Sequence, residues 1–176
     1  MNFNNTPAFL LAALFILASC KPPVQERPEV PGATVNRSLI ETNQYIRERH
    51  REHIMAFADR AGWDMTETST GLWYEMLDRG SGPAVEKDKL VVYTYQTRLL
   101  NGNVCYAAGR KEPKKIISGK GNIESGLEEG LRLMREGGKA RFLVPPYLAH
   151  GNFGDGQCIP GSAVLLITAE VLEVKR

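Results

Sequence analysis

The sequence predicts an α+β domain, an antiparallel sheet with one short helix packed on a single face, preceded by an N-terminal amphipathic helix. Three observations carry this expectation. Alternating and apolar runs that read as strands stand on both sides of one segment with helical periodicity, an order that implies an antiparallel sheet with that helix packed on one face. Asn101-Gly102 is a strong hairpin signal, because both residues tolerate positive φ. Well ahead of the first strand, Leu39, Ile46, Ile54, Phe57 and Ala61 recur at helical spacing among polar residues.

In chain order, Pro7–Ala18 (PAFLLAALFILA) is an apolar run too short to span a bilayer comfortably, and it ends in small residues. This is the pattern of a secretory signal. Leu17, Ala18, Ser19 and Cys20 resemble the bacterial lipobox, which implies a signal peptide over residues 1–19, cleavage before Cys20, and lipid on that cysteine. Such acylation anchors a protein to a membrane without crossing it. Lys21 stands where enteric lipoproteins kept at the inner membrane carry aspartate, so the expected address within the cell envelope is the outer membrane.

Residues 20–35 are rich in proline and charge (KPPVQERPEVPGATV after Cys20) and are expected to form an extended tether. The helical pattern runs from Asn36 to about Gly62, with Asn36 or Ser38 as a cap, and the N-terminal helical segment is set at 36–64. His50 and His53 share a face of this helix, yet no third ligand is near in sequence and arginines flank both, so no metal is predicted. The 36–62 helix is a candidate homodimer element, packing against its own sheet being the alternative.

Strands are expected at Leu72–Leu77, Leu90–Leu100, Lys114–Ile117, Lys139–Val144 and Ala163–Val174. Ile123, Leu127, Leu131 and Met134 form one apolar face of a helix that starts near Asn122 and stops at Gly137-Gly138. With 24% charged residues, 43% hydrophobic ones and a net charge of +2, the composition is that of one ordinary domain with extra sequence attached. Basic residues are matched locally by acids, as in Glu48, Arg49, Arg51 and Glu52, so no nucleic-acid surface is expected. No cofactor motif stands out.

The stretch SGLEEGLRLMREGGKARFLVPPYLAHG followed by IPGSAVLLITAEVLEV resembles the FKBP family of peptidyl-prolyl isomerases. That family carries a GxEEGxxxM helix, a strand, a P-x-x-A-Y-G turn, and I-P before its last strand. The resemblance covers about residues 71–176 and implies a half-barrel sheet wrapped around the helix, with the domain set at 65–176. The N-terminal half, with lipobox, helix and GLWYEML, is most similar to the gliding-motility-associated FKBP-type lipoproteins.

The implied chemistry needs no nucleophile, since an X-Pro amide isomerises by rotation over a barrier of about 18–20 kcal/mol. The twisted amide is less polar at its carbonyl, so a desolvated apolar pocket gripping the proline ring favours it. The partners implied are proline-containing segments of client proteins. Carried over by position, Tyr95 forms the pocket wall, Ile123 is an aliphatic wall residue, Glu124 offers its backbone N–H to the ligand, and Ile159 lies on the loop over the pocket. Cys105 stands where phenylalanine is usual, Tyr106 where aspartate is, Leu127 replaces a tryptophan at the floor, and Ile167 replaces a phenylalanine. His150 takes the place of a tyrosine whose hydroxyl donates to a ligand carbonyl, which makes it a ligand-orienting donor and makes pH-dependent binding an expectation.

Replacing a ring by an aliphatic side chain loses on the order of 1 kcal/mol in area and again in stacking. Two functions therefore stay open: a prolyl isomerase, slower than the drug-binding members, and a non-catalytic peptide-binding module of an envelope assembly. By the family match, Cys105 and Cys158 both lie on the pocket rim. With Cys20 lipidated they form an even pair in an oxidising compartment, so a Cys105–Cys158 disulfide is expected, free buried thiols being the alternative.

Overall fold

The computed structural model describes residues 31–121 and 123–175. The expected signal peptide, the lipidation at Cys20, most of the tether, and Asn122 lie outside the described residues. Among those described, seven strands build one antiparallel sheet: β1 (Thr66–Glu67), β2 (Trp73–Asp78), β3 (Leu90–Leu99), β4 (Val104–Ala108), β5 (Lys114–Ile117), β6 (Lys139–Val144) and β7 (Leu165–Lys175). Two helices complete it, α1 (Pro31–Ala61) and α2 (Ser125–Arg132).

The sheet order is β1-β2-β6-β7-β3, and both β4 and β5 pair with the far edge of β3. Residues Leu90–Tyr93 of β3 take β5, while Tyr95–Arg98 take β4. The turn at Asn101-Gly102 returns the chain to that edge as expected, with Gly102 at φ 95° and a register shift between Thr97 and Arg98. Strand β1 was not among those expected, and β4, the return strand of the Asn101-Gly102 hairpin, was expected from the turn without bounds of its own. Both are short, and β4 is mostly half-exposed, so neither writes a clear alternation into the sequence.

Period-two alternation turns Val91, Tyr93, Tyr95 and Thr97 of β3 toward α2, where they meet Leu72, Phe142, Leu165 and Ile167. From the helix side Leu127 and Leu131 close this core, each 1% exposed. The helix comes close because Gly126 and Gly130, one turn apart, face β6. A Cβ on Gly126 would collide with Val144, and one on Gly130 would lie 2.6 Å from the Phe142 ring. The helix is shorter than its apolar periodicity suggested. After Arg132 the chain turns so that the Met134 carbonyl accepts the Val85 N–H at 3.1 Å, which keeps Met134 buried without helical backbone.

On the other face of the sheet, Ile54 and Ala58 of α1 pack on Trp73, Leu143 and Val164. Burying Ile54 contributes roughly 1.5–3 kcal/mol. Phe57 meets Trp63 edge-on at 5.5 Å, and Arg51 pairs with Glu67 at 2.9 Å. Arg47 lies 4.7 Å over the Tyr147 ring. The C-terminal half of α1 thus packs against its own sheet, whereas Leu39, Ile40 and Tyr45 farther out are exposed. Among the described residues the helix runs from Pro31, inside the stretch expected as tether, rather than from Asn36. Proline is compatible with a first helical position, because its missing N–H has no intrahelical partner there anyway.

Candidate functional site

A cleft of about 580 Å³ opens where the first turn of α2 meets β3 and β5. Its tyrosine wall follows from the alternation of β3, which puts Tyr93 and Tyr95 on the same face with ring centroids 5.8 Å apart. Burial, with a further push from the Glu124 carboxylate, raises both phenols above their ordinary range, Tyr93 the more strongly, so both rings stay neutral. Leu127 is the buried floor and Ile123 a half-buried wall. Ile116 of β5 closes the aliphatic side, while Lys114 and Lys115 border the mouth.

The opposite lip comes from the turn after β6. Pro146–Leu148 form one turn of 3-10 helix, with a proline at its start where the missing N–H costs nothing. Ser125 donates its hydroxyl to the Leu148 carbonyl at 3.1 Å, which ties the start of α2 to this turn and brings Ala149 and His150 to the cleft. Glu124 precedes the helix without capping it through its side chain. Its Oε1 lies 3.1 Å from Nε2 of His150, and the two side chains are only 20% and 24% exposed.

Beside the cleft two links join β4 to the loop that follows His150. Cys105 and Cys158 are disulfide-bonded with a Cα–Cα distance of 5.5 Å, inside the normal range. The Tyr106 hydroxyl donates to Oδ2 of Asp155, while Oδ1 accepts the backbone N–H groups of Gln157, Cys158 and Ile159 at 2.9, 3.0 and 2.8 Å. The tyrosine bond first, then these amides, holds the Asp155 carboxyl down at about 2, and the same bond raises the Tyr106 phenol.

Of the residues the sequence singles out, Tyr95, Ile123, Glu124, Leu127 and His150 come together around one cleft. Ile159 and Ile167 are buried in the core behind it, Cys105 and Tyr106 pack on that core, and Cys158 is held to Cys105 by the disulfide; none of these lines the cleft. His150, expected as a ligand-orienting donor, has its Nε2 facing the Glu124 carboxylate. Missed by the sequence reading were Tyr93, Lys114, Lys115, Ile116 and Ala149. Tyr93 was findable, being two residues before Tyr95 on one strand face; Lys114 needs the register that sets it opposite Tyr93. A larger groove of about 770 Å³ runs over the sheet's other face between Trp63, Gln96, Arg110 and Thr168. Of the predicted site residues only Tyr95 borders it, and its floor is the outward side of β3 and β7.

An antiparallel sheet wrapped over one short helix, with a tyrosine-walled cleft at that helix's first turn, defines an FKBP-like domain. The family of FKBP-type peptidyl-prolyl cis-trans isomerases matches residues 82–172, and the chain belongs to it. It is 31% identical over 113 residues to a probable FKBP-type peptidyl-prolyl cis-trans isomerase of Haemophilus influenzae, across 64% of this chain and 46% of that protein. The chain thus spans about half the length of that relative. It is 34% identical over 105 residues to the FK506-binding protein of Neisseria meningitidis serogroup B, across 59% of this chain and 96% of that one. Among solved structures, FkpA from Escherichia coli superposes with a TM-score of 0.62 at 26% identity, covering 82% of this chain and 66% of that one.

Proposed function

We propose that this protein is a peptidyl-prolyl cis-trans isomerase that assists the folding of envelope or surface proteins. The observation that carries the reading is the cleft itself: Tyr95, Ile123 and Leu127 enclose an apolar space, within a domain of the isomerase family, large enough for a proline ring. The cleft would strip water from the X-Pro amide and grip the ring while the bond rotates. The twisted amide has lost conjugation and carries less charge on its carbonyl, so it is favoured there over the planar ground state. The lipobox-like LASC, read with the preceding apolar run, supports attachment to the cell envelope through lipid on Cys20. The exposed stripe of Leu39, Ile40 and Tyr45 on α1 is compatible with a homodimer contact.

The test is NMR exchange spectroscopy on an X-Pro peptide with the full chain and with Tyr95→Ala. Wild type should accelerate exchange, and the variant should lose about tenfold, the rate equivalent of about 1.4 kcal/mol in lost ring contact. Equal acceleration by both would show that the cleft is not the site. A second reading, a non-catalytic peptide-binding module, is favoured by the Glu124–His150 pair, which with Lys114 and Lys115 makes the mouth of the cleft polar. Peptide binding without acceleration would select it.

A further inference from the structure

Phe153 is 95% exposed, more than any other large apolar side chain among the described residues. Single exposed apolar residues are ordinary on protein surfaces. What sets Phe153 apart is how the chain on each side of it is held. Ser162 donates its N–H to the Gly151 carbonyl at 2.9 Å, and Asp155 donates its N–H to the Ile159 carbonyl at 3.0 Å. Gly154, at φ 72°, lies against the backbone of Ile159, Pro160 and Gly161, and Gly161 lies against the Asn152 carbonyl; neither site has room for a Cβ. Asp155 is bound by Tyr106 and three backbone amides, and Cys158 is bonded to Cys105. A loose loop would lay a phenyl ring down on the surface to escape water. Here Asn152 and Gly154 are both clamped, so the ring is held outward.

The loop that displays this ring is also the lip of the cleft. Phe153 follows His150, a lining residue, by three positions, and three residues of chain reach at most ~10 Å. An extended peptide advances ~3.3 Å per residue, so it covers that distance in about three residues. An aromatic anchor on a rigid support adds affinity without paying to order its loop. We propose that Phe153 is a specificity-determining contact that engages an apolar side chain about three residues from the proline held in the cleft. The partner it fits is an extended, apolar stretch of an unfolded client, in preference to an isolated X-Pro unit. The inference rests on reading the cleft as the peptide site.

The experiment compares the full chain with F153S on three peptides: a four-residue X-Pro peptide, a longer one with Leu at the third residue on both sides of proline, and its twin with Ser at those positions. Exchange rates by NMR give kcat/KM, and fluorescence anisotropy of labelled peptides gives Kd. Wild type should favour the Leu peptide over its Ser twin by about tenfold, as expected for one aromatic anchor, and F153S should bring the ratio to about one. The four-residue peptide should not distinguish the two proteins. No Leu preference in wild type, a preference kept by F153S, or an equal loss on the four-residue peptide would each overturn the proposal. If no peptide is isomerised yet wild type binds the Leu peptide about tenfold tighter than F153S does, catalysis fails and the contact stands; equal binding overturns the contact.

Discussion

Removing the Cys105–Cys158 bond, by Cys105→Ser with Cys158→Ser, should cost much of the domain's stability while leaving its fold in place. The folded rim keeps a second link, the Tyr106–Asp155 hydrogen bond with the backbone amides around Asp155, so the native loop is still held. The main effect therefore lies in the unfolded chain, which gains the freedom of an open loop. For a sequence separation of 53 residues the chain-entropy relation gives about 4 kcal/mol at 25 °C. Typical domains are stable by about 5–15 kcal/mol, so the loss is large but survivable. Urea unfolding read by tryptophan fluorescence measures it directly. With a slope of about 1–3 kcal/mol per molar, the midpoint should fall by roughly 1.5–4 M, and the slope should rise because the unlinked unfolded chain exposes more surface. A midpoint shift below about 0.5 M would refute the entropic reasoning, as would titration of two free thiols in the native protein.

Two further expectations concern packing and charge. Gly130→Ala should destabilise although alanine is the better helix former: a Cβ 2.6 Å from the buried Phe142 ring forces repacking worth about 1–3 kcal/mol, against a propensity gain of about 1. Thermal melting should show a lower midpoint, and a higher one would overturn the account of helix–sheet contact. Tyr106→Phe removes the bond that holds the Asp155 carboxyl at about 2. A carboxyl depressed on folding stabilises above its ordinary value, near pH 4, and that stability is lost as pH falls through the depressed value. Melting from pH 6 to pH 2 should therefore show wild type ahead of the variant down to about pH 4 and converging with it toward pH 2; a constant gap would contradict the linkage.

Much of the sheet is legible in the chain because its long strands alternate. Val91, Tyr93, Tyr95 and Thr97 write their own facing, and Asn101-Gly102 marks the return. The extent of strand β4 is not legible, because Val-Cys-Tyr-Ala-Ala at a half-exposed edge carries no period and is held by pairing with β3. The apolar half of the cleft follows from strand and helix faces together with the family resemblance. The polar half does not: Glu124 and His150 are 26 residues apart, and only the packing of α2 on the turn after β6 brings their side chains to 3.1 Å. The cations at the mouth, Lys114 and Lys115, depend likewise on an interstrand register that one strand's sequence leaves open.

The position of β7 in the sheet has a consequence for how this chain is made. β7 pairs with β6 over Leu165–Glu170 on one side and with β3 along its whole length on the other, and among the described residues it alone joins the β1-β2-β6 half of the sheet to the β3-β4-β5 half. It is also the last strand in sequence order. Until it emerges, the two halves have no shared edge, and the early strand β3 waits for a neighbour from the opposite end of the domain. Such long-range closure is slow to begin. A chain emerging from the ribosome therefore cannot close this sheet until β7 is delivered, so the order of synthesis and the order of assembly are coupled through one strand.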